Sequence, residues 1–191
     1  ICGELGIDFF EARENACHQY CHIHLPSTGV GGHCIPVYPW FLIKEMERRE
    51  KFESCRLLRT ARVVNDGMID YWMGRILEQC LKINKPLATV KICILGITFR
   101  AGVKEFYHSR NLALAKRLAE KGLDVYAFDE LLSSEEVQRW GLRCIDPKQA
   151  DLIFDCFNLR WLRAEDWPER ERAAGPSAKD ELASADCKGC R

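Results

Sequence analysis

Apolar side chains recur at steps of three and four along residues 54–83, the spacing that places them on one face of an α-helix. The repeating positions are Leu57, Ala61, Val64, Met68, Trp72, Ile76, Cys80 and Ile83. Leu58, Ile69 and Met73 add a second apolar stripe, so the pattern predicts a helix that is buried on more than one face. Ser54 is its predicted N-cap, and Pro86 ends the helical region.

Two shorter helices are predicted ahead of this one. Asp8 and Glu11 have the spacing of a capping box, which predicts a helix running to about His18. A second apolar run begins near Pro39 and extends to Arg49, and proline suits the first position of a helix. Within the long helix, Gly67 and Gly74 leave room for the close approach of another helix.

After Thr89 the pattern changes to short apolar strands that alternate with helices. Strands are predicted at 90–95, 125–128, 143–145 and 152–156, and helices at 112–121 and 135–140. This alternation predicts an α/β fold with a parallel, doubly wound sheet. The chain is therefore divided into a helical domain at 1–86, a Rossmann-like domain at 87–166, and a polar tail at 167–191 whose composition predicts disorder.

The charge is balanced, with 28 basic and 28 acidic residues, which argues against nucleic acid or an anionic membrane as the partner. The sequence contains neither an apolar run long enough to span a membrane nor a signal-peptide pattern, and its first residue is Ile1. The eleven cysteines are scattered, and Cys80, Cys93, Cys144 and Cys156 fall in apolar runs, where buried free thiols are expected. A reducing cytoplasm is the predicted location.

The segment from Gly29 to Trp40 (GVGGHCIPVYPW) carries the clearest candidate chemistry. Its glycines allow the backbone to approach a ligand closely. Cys34 lies just ahead of a helix whose N-terminal dipole favours the thiolate form of a nearby cysteine. Glycine turns and buried cysteines are also common for structural reasons, so the spacing leaves a nucleophile and a packing residue as alternatives.

This string resembles the active-site signature of the UDP-glucose/GDP-mannose dehydrogenase family, G-x-G-G-x-C-x-P-x-D-P, and its His-Cys-Ile-Pro form is most similar to the branch that oxidises UDP-N-acetylhexosamines. Three further segments resemble the family: residues 6–11, residues 59–71, and the strand and loop at 91–100 (KICILGITFR). The resemblance implies an NAD-dependent oxidation of C6 of a UDP-sugar, from alcohol through aldehyde and a Cys34 thioester to the uronate. It also implies substrate contacts from a set of six residues, Gly31, Gly32, His33, Tyr38, Phe99 and Arg100.

Two positions depart from the family pattern. Tyr38 stands where the family has an aspartate that assists water or proton transfer, and a phenol is a poor base at neutral pH. It is interpreted either as a binding residue or as packing at a helix start. Tyr107 stands where the family commonly has an arginine, so no arginine role is carried to it, whereas Arg100 keeps the positive charge of a family lysine.

Two other functional hypotheses depend on different residues. Gly96 followed by Asp129 resembles half of a dinucleotide site, although G-x-G-x-x-G is absent from the 191 residues. A zinc module is the other reading, since its ligand types are dense in one short segment and in a C-x-x-C. These residues are Cys17, His18, Cys21, His22, His24, Cys187 and Cys190.

The resemblance further implies that the NAD site belongs to a domain outside this chain, so that the chain alone is expected to be inactive. It also implies a homodimer formed through the helical domain. An enzyme part and a non-catalytic nucleotide-sugar-binding remnant are therefore the two main functional hypotheses.

Overall fold

The computed structural model describes residues 1–167, and the predicted tail at 167–191 lies outside them except for Trp167. The described chain forms two compact units, residues 1–26 and residues 27–167. In the first unit, α1 spans Cys2–Leu5 and α2 spans Phe9–Ala16. The Asp8 carboxylate accepts the Glu11 N–H at 2.8 Å, which confirms the predicted N-cap of α2. The helix ends two residues before the predicted His18.

The second unit begins with helices and continues into a sheet. The helices are α3 at Tyr38–Arg48, a 3₁₀ turn at Phe52–Cys55 and α4 at Arg56–Cys80. The α/β part contains β1 at Ile92–Leu95, α5 at Arg110–Glu120, β2 at Val125–Phe128, α6 at Ser134–Arg139, β3 at Arg143–Cys144, β4 at Leu152–Asp155 and β5 at Arg160–Leu162. Short 3₁₀ turns lie at Leu87–Thr89, Pro147–Gln149 and Ala164–Asp166.

The five strands have the order β3-β2-β1-β4-β5. Strands β1 to β4 pair in parallel, with Ile92 of β1 opposite Val125 of β2 and Leu152 of β4. The predicted α/β fold with its parallel sheet is thus confirmed for these strands. Strand β5 was not predicted; it runs antiparallel to β4. Trp167, which the prediction assigned to the tail, packs against Phe128 with ring centroids 6.0 Å apart.

Burial rises steadily along α4. Leu57 is 82% exposed and Val64 61% exposed, whereas Ile76 and Cys80 are buried in the core that also contains β1 and β4. The prediction of burial on more than one face is therefore wrong for the N-terminal half of α4, because periodicity locates apolar residues without saying what covers them. The predicted domain boundary at residues 86/87 stays a prediction.

Two finer predictions for α4 are also corrected. Its N-cap position is Cys55, without a side-chain cap, because Ser54 belongs to the preceding 3₁₀ turn. At Gly67 and Gly74 a Cβ would meet no atom of another element within 4 Å among the described residues, so no second helix lies against them.

The four cysteines that fall in apolar runs largely follow the prediction. Cys80, Cys93 and Cys156 are buried free thiols, whereas Cys144 is a free thiol that is only half-buried. Burial raises the pKa of Cys80 to about 11 and, with the nearby Cys144 and Asp146, that of Cys93 to about 12.

Candidate active site

The cysteine loop, residues 28–36, has a backbone that requires glycine at two consecutive positions. A Cβ on Gly31 would lie 2.5 Å from the His108 carbonyl oxygen, and Gly32 has φ +86 with the Phe99 ring 3.2 Å from its Cβ position. Neither conformation accommodates a side chain. The predicted close approach therefore occurs, but the backbone approaches other parts of the protein.

Helix α4 holds the cysteine loop at both ends. The Val30 N–H donates to Asn65 Oδ1 at 2.7 Å, and Asn65 Nδ2 donates back to the Val30 carbonyl at 3.1 Å. One turn earlier, Arg62 Nη1 donates to the Ile35 carbonyl at 2.9 Å. These polar side chains fix the backbone on either side of Cys34.

The first residues of α5 bind the same part of α4 and the loop. Arg110 Nη2 donates to the Asn65 and Asp66 carbonyls at 2.9 and 2.8 Å. Burial lowers the pKa of Arg110; Asp66 counteracts this effect, and the Arg62 cation adds to it. At the start of the loop, buried Thr28 donates to the Asn111 side chain.

The loop at 99–108 contacts the other side of the cysteine loop. The Gly32 N–H donates to the Tyr107 carbonyl at 3.2 Å. The His33 imidazole stacks on the Tyr107 ring at 4.2 Å, with an interplanar angle of 1°, and its Nε2 lies 3.5 Å from Glu105 Oε2. Hydrogen bonds from the Tyr107 and Phe106 N–H groups, together with His33, lower the pKa of Glu105.

Cys34 is exposed at the turn that leads into α3. Its carbonyl accepts the N–H groups of Val37 and Tyr38 at 3.1 and 2.9 Å, so α3 begins one residue before the predicted Pro39. The neighbouring Cys34 thiol raises the pKa of the Tyr38 phenol. Tyr38 is therefore a neutral phenol near neutral pH and is no substitute for an aspartate base.

Phe99 and Arg100 follow β1 at its carboxyl edge, where ligands bind in open α/β sheets. The Arg100 guanidinium carbon lies 5.2 Å from the centroid of the Phe99 ring, and its side chain is exposed. Phe99 reaches Gly32, so the structure brings together the two motifs that were predicted to form one site.

The residues considered for a dinucleotide have other partners. The Asp129 carboxylate accepts the backbone N–H groups of Ile97, Thr98 and Leu131. A Cβ on Gly96 would overlap the Phe157 ring, so this ring covers the end of β1 that a pyrophosphate would approach. These residues do not fit NAD.

The possible zinc ligands of residues 17–24 do not converge. Within residues 1–167, no group of three or more His, Cys, Asp or Glu side chains is arranged to hold a metal ion. Cys187 and Cys190 lie outside the described residues. In the same range, no helix is both long and apolar enough to cross a membrane.

Sequence reasoning missed three residues that shape the site: Arg62, Asn65 and Glu105. Arg62 is 5% exposed on a helix whose neighbouring apolar residues are exposed, and its Nε and Nη2 have no hydrogen-bond partner among residues 1–167. For Arg62 and Asn65, the signal available in the sequence was two polar side chains three residues apart between apolar positions, which places both on one face of the helix.

Comparison with known proteins decides between these readings. Residues 1–67 match the model of the UDP-glucose/GDP-mannose dehydrogenase family, central domain. The UDP-N-acetyl-D-mannosamine dehydrogenase of Methanococcus vannielii is 33% identical over 141 residues, which cover 72% of this chain and 31% of that enzyme. The chain belongs to this family.

Two further relatives agree with the assignment. The NDP-N-acetyl-D-galactosaminuronic acid dehydrogenase of Ralstonia solanacearum is 32% identical over 64% of this chain and 27% of its own length. The solved UDP-D-ManNAc dehydrogenase of Pyrococcus horikoshii matches with a TM-score of 0.67 and 26% identity, over 81% of this chain and 35% of its own. The chain thus spans about a third of the length of the proteins that it matches.

Proposed function

We propose that this chain supplies the nucleophile and the UDP-sugar contacts of an NAD-dependent dehydrogenase that oxidises C6 of a UDP-N-acetylhexosamine. The observation that carries the proposal is the contact of Gly32 in the cysteine loop with Phe99 in the loop after β1. Two motifs distant in sequence thereby form one surface that includes exposed Cys34 and exposed Arg100. The names of the relatives support the substrate class.

The chemistry assigned to this surface is covalent capture of an aldehyde. The Cys34 thiolate adds to C6, an S–C bond forms, and the π electrons of the C=O bond move to oxygen, which then takes a proton from water. The neutral Tyr38 phenol, whose pKa the neighbouring Cys34 thiol raises, is assigned to donate a hydrogen bond to that oxygen. Since the Gly32 N–H already donates to the Tyr107 carbonyl, the Gly31 N–H is the loop amide that is assigned to this oxygen.

The guanidinium of Arg100 is assigned to the diphosphate. Arginine binds phosphate oxygens through two parallel hydrogen bonds, and its position at the carboxyl edge of β1 is the usual ligand side of such a sheet. NAD supplies the hydride acceptor in the overall reaction. Because the described residues do not fit NAD, none of them is assigned a contact with this cofactor.

Binding is tested by calorimetry with UDP-N-acetylglucosamine and UDP-N-acetylmannosamine, using Arg100→Ala as the site variant and Arg139→Ala as a control on α6. The nucleotide-sugar is expected to bind the wild type and the control, and to bind Arg100→Ala at least about 10-fold more weakly, since a charge-assisted hydrogen bond is worth roughly 1.5–3 kcal/mol. Affinity for NAD without affinity for uridine nucleotides would contradict the proposal.

A non-catalytic nucleotide-sugar-binding remnant is the second candidate, and the tyrosines at positions 38 and 107 favour it, since each replaces a charged family residue. Iodoacetamide distinguishes the two. Selective labelling of Cys34 that UDP-sugar slows supports the nucleophile, whereas equal labelling of the exposed thiols without protection supports the remnant. In either case the 191-residue chain is expected to produce no NADH from UDP-sugar and NAD.

The exposed N-terminal half of α4 supports a homodimer as part of the proposal. Leu57, Val63 and Val64 are 82, 62 and 61% exposed, and Phe41 and Leu42 of α3 are 66 and 59% exposed. An apolar surface of this extent is typical of an interface.

A further inference from the structure

We infer that Arg62 is a positioning residue for the candidate nucleophile, because its guanidinium holds the Ile35 carbonyl and so fixes the turn that carries Cys34 and leads into α3. The inference rests on the proposed function, in which Cys34 is the nucleophile. Arg62 itself is too far inside the protein to be a ligand contact, since only 6% of its side chain is exposed.

Arg62 and Asn65 act on the two ends of the segment that contains Cys34. Asn65 forms two hydrogen bonds with Val30, and Arg62 forms one with Ile35, three residues before the start of α3. In between, the Cys34 carbonyl accepts the N–H of Tyr38 at 2.9 Å. Holding the Ile35 carbonyl therefore restricts the turn that connects Cys34 to Tyr38.

Stability alone does not account for an arginine at this position. Two of its nitrogens have no hydrogen-bond partner among residues 1–167, and the carboxylate of Asp66 lies 3.8 Å away and is 53% exposed. The cation of Arg110 is close enough to be affected by that of Arg62. A buried charge with so few partners is less favourable than an apolar side chain of similar volume. Among residues 1–167, the hydrogen bond that the arginine makes is with the cysteine loop, through the Ile35 carbonyl.

The test uses the 191-residue chain with ring-labelled tyrosine, so that the Tyr38 titration is followed by NMR and assigned with Tyr38→Phe. In the wild type, Tyr38 is expected to titrate above free tyrosine because of the neighbouring Cys34 thiol. Arg62→Met is expected to return Tyr38 to the ordinary value, as Cys34→Ala does, without lowering the unfolding temperature. Arg62→Lys is expected to keep part of the shift, and Arg59→Met, which removes an exposed ion pair with Glu47, is expected to keep all of it.

An unchanged Tyr38 titration in Arg62→Met overturns the inference. A lower unfolding temperature in both Arg62→Met and Arg62→Lys, together with loss of the shift, also overturns it, since Arg62 would then support the fold generally. If UDP-sugar fails to protect Cys34 while the Tyr38 shift still depends on Arg62, the proposed function fails and the positioning role stands.

Discussion

The sheet and the helical part of residues 27–167 use their apolar side chains differently. In β1 and β4, Ile92, Ile94 and Phe154 are fully buried by other residues of the same chain. In α3 and the first half of α4, large apolar residues such as Phe41 and Leu57 remain exposed. The sheet thus completes its core within the chain, together with the C-terminal half of α4, whereas α3 and the first half of α4 have apolar surface left for a partner.

The largest effect is expected for a truncation in the sheet. Phe154→Ala should lower the free energy of unfolding by about 3–5 kcal/mol, because Phe154 packs against Trp72 and Trp161 at ring centroid distances of 5.0 and 4.6 Å. Leu57→Ala is the matched control and should change it by less than about 0.5 kcal/mol. Urea unfolding at low protein concentration measures both changes in the free energy of unfolding. Equal changes would contradict the difference in burial between the sheet and the helical part.

The rate of cysteine modification should differ by about 10³-fold or more between the two regions, since buried thiols react only when the structure opens. Cys34 is exposed, whereas Cys93 is buried and its pKa is raised to about 12. Iodoacetamide at pH 8 followed by peptide mass analysis is expected to modify Cys34 first. Comparable rates for Cys34, Cys93 and Cys156 would show that the sheet opens as readily as the loop.

Two glycine substitutions should change the stability of the protein in opposite directions. Gly96→Ala should destabilise the protein by about 2–3 kcal/mol, since Gly96 has φ +80 and its Cβ would meet the Phe157 ring. Gly67→Ala lies in α4 with no neighbour within 4 Å and should stabilise the monomer by about 0.5–1 kcal/mol. Thermal unfolding decides the outcome, and a stabilising Gly96→Ala would contradict the geometry.

The helical surface is tested by Val64→Glu. If a second copy covers the first half of α4, a charge there should weaken dimerisation by about 10-fold or more, because an unpaired buried charge is strongly unfavourable. Sedimentation velocity across protein concentrations measures this, with Glu78→Gln at an exposed position of the same helix as the control. A wild type that stays monomeric at high concentration would contradict the homodimer.

The smallest effect concerns the contact between the two loops. Glu105 has a pKa below its ordinary value of 4.5, because of N–H donors from Tyr107 and Phe106 and the neighbouring His33. A lowered folded-state pKa stabilises the protein above pH 4.5, and this contribution is lost as the pH falls through the folded value. Glu105→Gln should therefore lower the unfolding temperature slightly at pH 6–7 and not at pH 3. An equal difference at both values would exclude the ionised carboxylate as its source.

The sequence predicted the fold best where the local preference of a segment agrees with its burial. Strands β1, β2 and β4 lie within one or two residues of their predicted limits, because continuous apolar runs are typical of buried parallel strands. Strand β5 was missed since Arg160–Leu162 is short and begins with a charged residue. The contact of Gly32 with Phe99 followed from the family resemblance, whereas Arg62 and Glu105 act through loop geometry that has no sequence period.

Asn65 and Arg62 connect the cysteine loop to α4, so a molecule that binds the opposite side of this helix acts on the loop through the helix. These side chains hold the loop, while Val63 and Val64, their immediate neighbours in sequence, are exposed. One rigid helix therefore carries both a loop contact and an assembly surface. If association with a second copy changes the tilt of α4, it changes the affinity for a ligand at the loop by some factor, and thermodynamic linkage requires the ligand to change the association constant by the same factor.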